Sequence, residues 1–341
     1  MKIIRNILPA ILMLFTVTLA SAQNNEEARA LLQEGVKLND QGKYAEAIEK
    51  YNAALKVDPE YLYADFEIAF TLFASGKGTD GIPYIEKVIR ANTNLNAGAY
   101  DLLGSIYDKE NQTDKAIETY QEGIKTNPTY QRLYYNLGIV YFRTKQYAEA
   151  EKSAIEAIKL DPKHASSQRM YALVCFHQNK RVNALLGFCS FILLEPSTAR
   201  SAEAYGNIQH IMQGGVLKDG NGNTTLSVPM ADDKETGALN LAISMSTISG
   251  QSKKLVGMAL LEDELKTIFK IAGELSEKKT DKGFFDKYFV DYFHKLAQSN
   301  NMPAFTRMIS QSSPESAAWI KDHPQYMNDL YTWVKTTERG F

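Results

Sequence analysis

Apolar and small residues recur three and four positions apart over much of the chain, in short runs closed by proline. The segments GKYAEAIEKYNAALKVDPEY, QTDKAIETYQEGIKTNPTY and KQYAEAEKSAIEAIKLDPKH each predict an amphipathic helix with a proline just past its end. The prolines themselves keep time. Pro128, Pro162 and Pro196 are 34 residues apart, and Pro59 precedes Pro128 by 69, two periods plus one inserted residue. Gly104, Gly138, Ala172 and Gly206 share the period of 34, with Gly35 and Ala69 continuing it upstream. Ala47, Gly81, Ala116, Ala150 and Ala184 fall at one equivalent position, where two antiparallel helices can approach closely only if no bulky side chain intervenes.

These segments resemble tetratricopeptide repeats. Residues 131–164 carry the pattern best, through Tyr134, Leu137, Gly138, Tyr141, Ala150, Ala157 and Pro162. Residues 28–61 match through Gly35, Tyr51 and Pro59, residues 97–130 through Gly104, Tyr107, Ala116, Tyr120 and Pro128, and residues 165–198 through Ala172, Ala184, Phe188 and Pro196. Residues 62–96 form a degenerate repeat, 35 long, with Gly81 for Ala and Thr93 for Pro, so its exit turn is expected to deviate. A partial sixth repeat starts at 199. The resemblance implies an all-α fold, a right-handed α-α superhelix of helical hairpins over 23–213, with a concave groove lined by the first helix of each repeat.

Beyond it the pattern changes. Gly214-Gly215 and VLKDGNGNTTLSVP read as a β-hairpin insertion over 214–230, because Asp-Gly-Asn-Gly accepts the positive φ of tight turns. As a calcium loop opening at Asp219 it fails, having Thr224 and Met230 where Gly and Glu are needed. Residues 231–341 predict a C-terminal helical domain without repeats. There Phe284, Phe285, Tyr288, Phe289, Tyr292, Phe293 and Leu296 make one stripe, read as a core face or, if left exposed, as a docking surface. Trp319 and Trp333 are expected to complete the same core.

The start of the chain is an address rather than structure. Lys2 and Arg5 precede an uncharged stretch from Ile7 to Ala22, and Ala20-Ser21-Ala22 is a small-x-small cleavage site before Gln23. Residues 1–22 thus predict a cleavable signal peptide, too short and too broken by Pro9 to anchor the chain in a membrane. The first cysteine is Cys175, so a lipoprotein is not expected. Localisation follows as periplasmic or secreted. Without Lys2 and Arg5 the chain has 36 basic against 40 acidic residues, a balance that argues against nucleic acid as a partner.

Candidate chemistry is sparse. His164, His177, His210, His294 and His323 show no HExxH pairing, and Cys175 and Cys189 are not in CxxC spacing, so neither metal nor cofactor is expected. The two cysteines could pair in an oxidising compartment or remain buried thiols. Ser276 and Lys279 spell SxxK without its companion motifs, and Asp291 and His294 read as a surface ion pair one helical turn apart. The expectation is a non-catalytic scaffold or assembly factor of the cell envelope that binds a protein or peptide. The alternatives are an enzyme or ligand-binding protein with its site in the C-terminal domain, and an end-to-end self-assembler. The family's groove positions fall on Tyr63, Phe66, Phe70, Phe73, Asp101, Asp108, Arg132, Tyr135, Phe142, Arg143, Arg169 and Phe176, an aromatic lining with mixed charge. Members that clamp an acidic chaperone tail carry Lys and Asn where this chain has Leu32 and Val36, which disfavours that role.

Overall fold

The computed structural model describes residues 25–213, 216–218, 224–226 and 234–341; the signal peptide expected over residues 1–22 lies outside them. The fold is all-α, built from paired antiparallel helices. The pairs are α1 (residues 25–40) with α2 (Tyr44–Val57), α3 (Leu62–Ala74) with α4 (Gly78–Ala91), and α5 (Asn96–Lys109) with α6 (Thr113–Thr126). They continue through α7 (Gln131–Arg143) and α8 (Tyr147–Leu160) to α9 (Ala165–His177) and α10 (Arg181–Leu194), after which α11 (Ala199–Gln213) stands as a first helix alone. Two short strands, β1 (Val216–Lys218) and β2 (Thr224–Leu226), pair antiparallel with Val216 opposite Leu226. The turn expected between them is outside the described residues. The remaining helices are α12 (Lys234–Ser252), α13 (Gly257–Glu277), α14 (Asp291–Gln298), α15 (Met302–Ile309), α16 (Pro314–Asp322) and α17 (Pro324–Thr336). The chain forms two compact units, one ending at Val140 and one beginning at Tyr141, so the boundary falls inside α7.

In the first unit, glycine and tyrosine interlock. A Cβ added to Gly35 would lie 2.3 Å from the Tyr51 ring, and one on Gly104 would lie 2.5 Å from the Tyr120 ring. Each bare backbone therefore receives a full ring that is almost wholly buried. The turn between paired helices needs a left-handed residue, at Gly42 and Gly76 and then at Asn111, and glycine and asparagine are the residues that adopt it most cheaply. The second unit repeats it at Lys145 and Asn179. The repeat without proline does leave differently. Helix α4 ends on Asn92 at φ 49, bridged by the Asn96 amide at 2.9 Å, whereas α2 ends on Asp58 in extended backbone ahead of Pro59.

The second unit is organised around α10, in which twelve of fourteen residues are buried. Helix α9 covers one side, and α12, α15 and a π-helical turn at Asp286–Val290 contact the others. Tyr171 on α9 stacks on Phe289 at 4.9 Å, and Gln168 donates to the Tyr288 hydroxyl at 2.7 Å. The aromatic stripe is thus core: Tyr288, Phe289, Tyr292, Phe293 and Leu296 are all buried. Its members recur every fourth residue, a spacing that drifts by about 40° per step on an α-helix. The wider π turn absorbs that drift and keeps the rings on one side.

The tail closes this core. The Arg339 guanidinium lies 3.9 Å from the Tyr292 ring centroid and 4.8 Å from that of Tyr288, and donates to the Ser190 hydroxyl at 2.7 Å. Ser190 donates in turn to Gln168, so the polar groups beside α10 form one connected network. Trp333 packs at 4.9 Å on Tyr292, whereas Trp319 stacks on His323 at 4.3 Å. The expected Asp291–His294 ion pair does not form. Asp291 pairs with Lys282 at 2.9 Å and accepts from Ser276, while His294 faces Glu277 and Gln298, so each is taken by other partners although both lie on the regular helix α14. Lys279 holds Asp286 at 2.8 Å while Ser276 donates to Asp291, so the two residues of SxxK serve separate carboxylates.

Candidate functional site

In the first unit, α3 carries four aromatic residues at intervals of three, four and three: Tyr63, Phe66, Phe70 and Phe73. That spacing puts them along one stripe. Tyr63 and Phe70 remain 44% and 41% exposed, while Phe66 and Phe73 are half-buried against the cluster built on Ala69, Ile85 and Leu102. The Lys109 ammonium sits 5.0 Å from the Phe73 ring centroid.

Asp101 is placed differently from its groove neighbours. It is buried, salt-bridged to Arg132 at 2.9 Å and hydrogen-bonded by Asn136 at 2.6 Å. Burial raises its carboxyl above the ordinary value, and the Arg132 charge opposes that rise. The acid ties α5 to α7 within the unit and presents little surface of its own. Arg132 keeps most of its side chain exposed, and Asp108 and Tyr135 are half-buried.

In the second unit a row of rings runs across successive elements. The His177 imidazole stacks on Tyr147 at 5.3 Å and meets Phe142 edge-on at 5.2 Å. Phe176 meets His177 at 6.0 Å and His210 at 5.7 Å. Arg169 is half-buried and pairs with Glu203 at 2.7 Å, and Arg143 is exposed. The groove positions Phe142, Arg169 and Phe176 are therefore joined by Tyr147, Glu203 and His210, which sequence reasoning did not nominate. The signal was available. His210 follows Phe176 by 34 residues and Phe176 follows Phe142 by 34, and Glu203 follows Arg169 by the same step.

Among the described residues, no group of His, Cys, Asp and Glu has the geometry to hold a metal ion, and no helix is long and apolar enough to cross a membrane. Cys175 and Cys189 are free and buried, and burial pushes both thiols well above their ordinary range.

Residues 35–76 and 104–145 match the sequence model described as TPR repeat, and residues 132–164 match the tetratricopeptide repeat itself. The chain carries tetratricopeptide repeats. Among curated proteins it is 28% identical over 107 residues to the DnaJ homolog subfamily C member 3 of Mus musculus, covering 31% of this chain and 21% of that protein. It is 33% identical over 108 residues to the Hsp70-Hsp90 organizing protein 1 of Glycine max, covering 32% of this chain and 18% of that one. The chain thus spans about a fifth of the length of these relatives. Among solved structures, that of pilF from Pseudomonas aeruginosa aligns with a TM-score of 0.48 at 18% identity, over 56% of this chain and 90% of the other.

Proposed function

We propose that this protein is a non-catalytic interaction scaffold of the cell envelope, exported by its signal segment, whose first-helix faces bind a segment of another protein. The observation that carries the reading is the pair of large rings, Tyr63 and Phe70, left 44% and 41% exposed seven residues apart on α3. Exposed rings on a rigid element supply much of the energy at protein interfaces, roughly 1–3 kcal/mol each when desolvated by a partner. The repeats themselves, and the likeness over about a third of the chain to a protein that organizes Hsp70 and Hsp90, support a binding role. An acidic chaperone tail is a poor candidate for the partner. Leu32 and Val36 are apolar and pack toward the cluster around Ala28, Ala47 and Tyr51, offering no donor to a carboxylate.

The test compares the mature chain with a Tyr63→Ala, Phe70→Ala double variant, both exposed positions whose truncation leaves the core intact, in a crosslinked pulldown from native envelope extract. The double variant is expected to lose a specific partner while keeping its helicity and melting temperature. A partner retained unchanged by the double variant overturns the assignment to this face. The companion variant Phe176→Ala asks the same of the second unit.

A further inference from the structure

A cavity of about 820 Å³ opens in the second unit between α11, α12 and α13. Its walls are mostly apolar, with Met212, Met258 and Leu261 around the buried ring of Tyr205. Methionine side chains reshape around differing apolar occupants. One ionisable carboxyl lines it, Glu264 on α13, beside Thr247 of α12, whose hydroxyl donates to the Ile243 carbonyl at 3.2 Å. Gly250 lies against this wall, where a Cβ would come within 2.3 Å of the end of the Leu260 side chain and oblige it to turn aside.

The charges around Glu264 do not compensate it. The neighbouring charge acting on it is Asp263, of like sign, and Lys253 is committed to Asp263 at 2.6 Å. Among the described residues no lysine, arginine or histidine lines the cavity. A half-buried carboxyl without a counter-ion is costly to ionise, and its carboxyl is accordingly raised to about 7. A cation entering beside it would recover that cost and gain a charge-assisted hydrogen bond.

We propose that this cavity receives a partner segment whose apolar side chains flank a single lysine or arginine, the cation pairing with the Glu264 carboxylate. The inference rests on the proposed binding role and names the chemistry of the segment. Gln209, which lines the cavity, and His210 of the aromatic row are successive residues of α11 whose side chains diverge by about 100°, so the cavity is a second contact site distinct from that row. Specificity would come from the charge and affinity from the apolar walls.

The probes are three pools of acetylated, amidated heptapeptides with Leu, Met or Phe flanks, differing only in a central Lys, Gln or Glu. Binding to the purified mature chain is read by fluorescence anisotropy. The Lys pool is expected to bind at least tenfold more tightly than the Glu pool. In E264Q, with helicity checked, the Lys and Gln pools should bind alike, and in E264K the Glu pool should become the preferred one. No saturable binding of the Lys pool, equal binding of all three, or a Lys preference that survives E264Q each overturns the proposal. The outcome is separable from the fate of the faces themselves. If Tyr63→Ala, Phe70→Ala still loses its partner while the pools show no charge preference, the scaffold reading stands and the cavity assignment falls.

Discussion

Helices α6 and α10 hold the same place in repeats two periods apart, yet α6 buries three residues, Ala116, Tyr120 and Gly123, and α10 buries twelve. The inward positions are alike: Tyr120 corresponds to Phe188 and Ile124 to Ile192. The outward ones are not. Glu118, Gln121 and Lys125 of α6 become Leu186, Cys189 and Leu193 in α10, and α8 keeps Lys152 and Lys159 at the first and last of these. A helix apolar on every side must be covered on every side. One repeat pattern therefore serves two ends, a unit of a series in the first case and the central post of a helical domain in the second.

The comparison breaks most sharply on a charge. Leu186→Lys, which installs in α10 the residue α8 has at that position, buries an unpaired ammonium and should cost about 4 kcal/mol or more. Glu118→Lys at the matching place in α6 should change stability by less than about 0.5 kcal/mol. Thermal melts of the two variants measure the difference, and equal losses would mean that the outward faces are not differently used.

A smaller effect tests the tail that closes the second unit. Arg339→Ala removes a cation over Tyr292 and Tyr288 and a hydrogen bond to Ser190, and should cost about 2 kcal/mol in urea unfolding. Arg339→Lys should recover part of it. A neutral Arg339→Ala would show that the ring contacts hold without the cation.

The smallest effect depends on pH. Burial raises the Glu264 carboxyl from 4.5 to about 7, so the folded chain holds that proton more tightly than the unfolded chain. Stability should then fall as pH climbs through that window. E264Q removes the fall: its advantage over the parent should be near zero at about pH 4 and about 1 kcal/mol at about pH 8, well under the full shift because the carboxyl is partly solvated. A difference that does not widen with pH would place the carboxyl in water.

Much of this was legible in the chain. The period of 34 located the helix pairs, and the missing proline at Thr93 foretold an altered exit, which Asn92 and Asn96 supply. The fourfold spacing of the aromatic stripe also carried the π turn, since a pure α-helix would scatter it, whereas the Asp291–His294 pair failed for another reason: Lys282 and Glu277, distant from them in the pattern, take the two residues. Asp101 looked like a groove residue because its position in the register was right; its burial depends on Arg132 and Asn136, more than thirty residues away. Nor could local pattern reveal the Glu264 cavity. Its walls come from three helices, and only their packing sets an acid beside Met212 and Tyr205.

Cys175 and Cys189, sealed within the α9–α10 pair, give the second unit an intrinsic chronometer. A thiol that is both shielded and held protonated cannot react with a disulfide reagent until the helices around it part. The rate at which the reagent is consumed therefore counts openings of the unit's centre, without any label being introduced. Reagent concentration separates the two regimes: at low concentration the rate reads how often the centre is found open, and at saturation it reads how fast it opens.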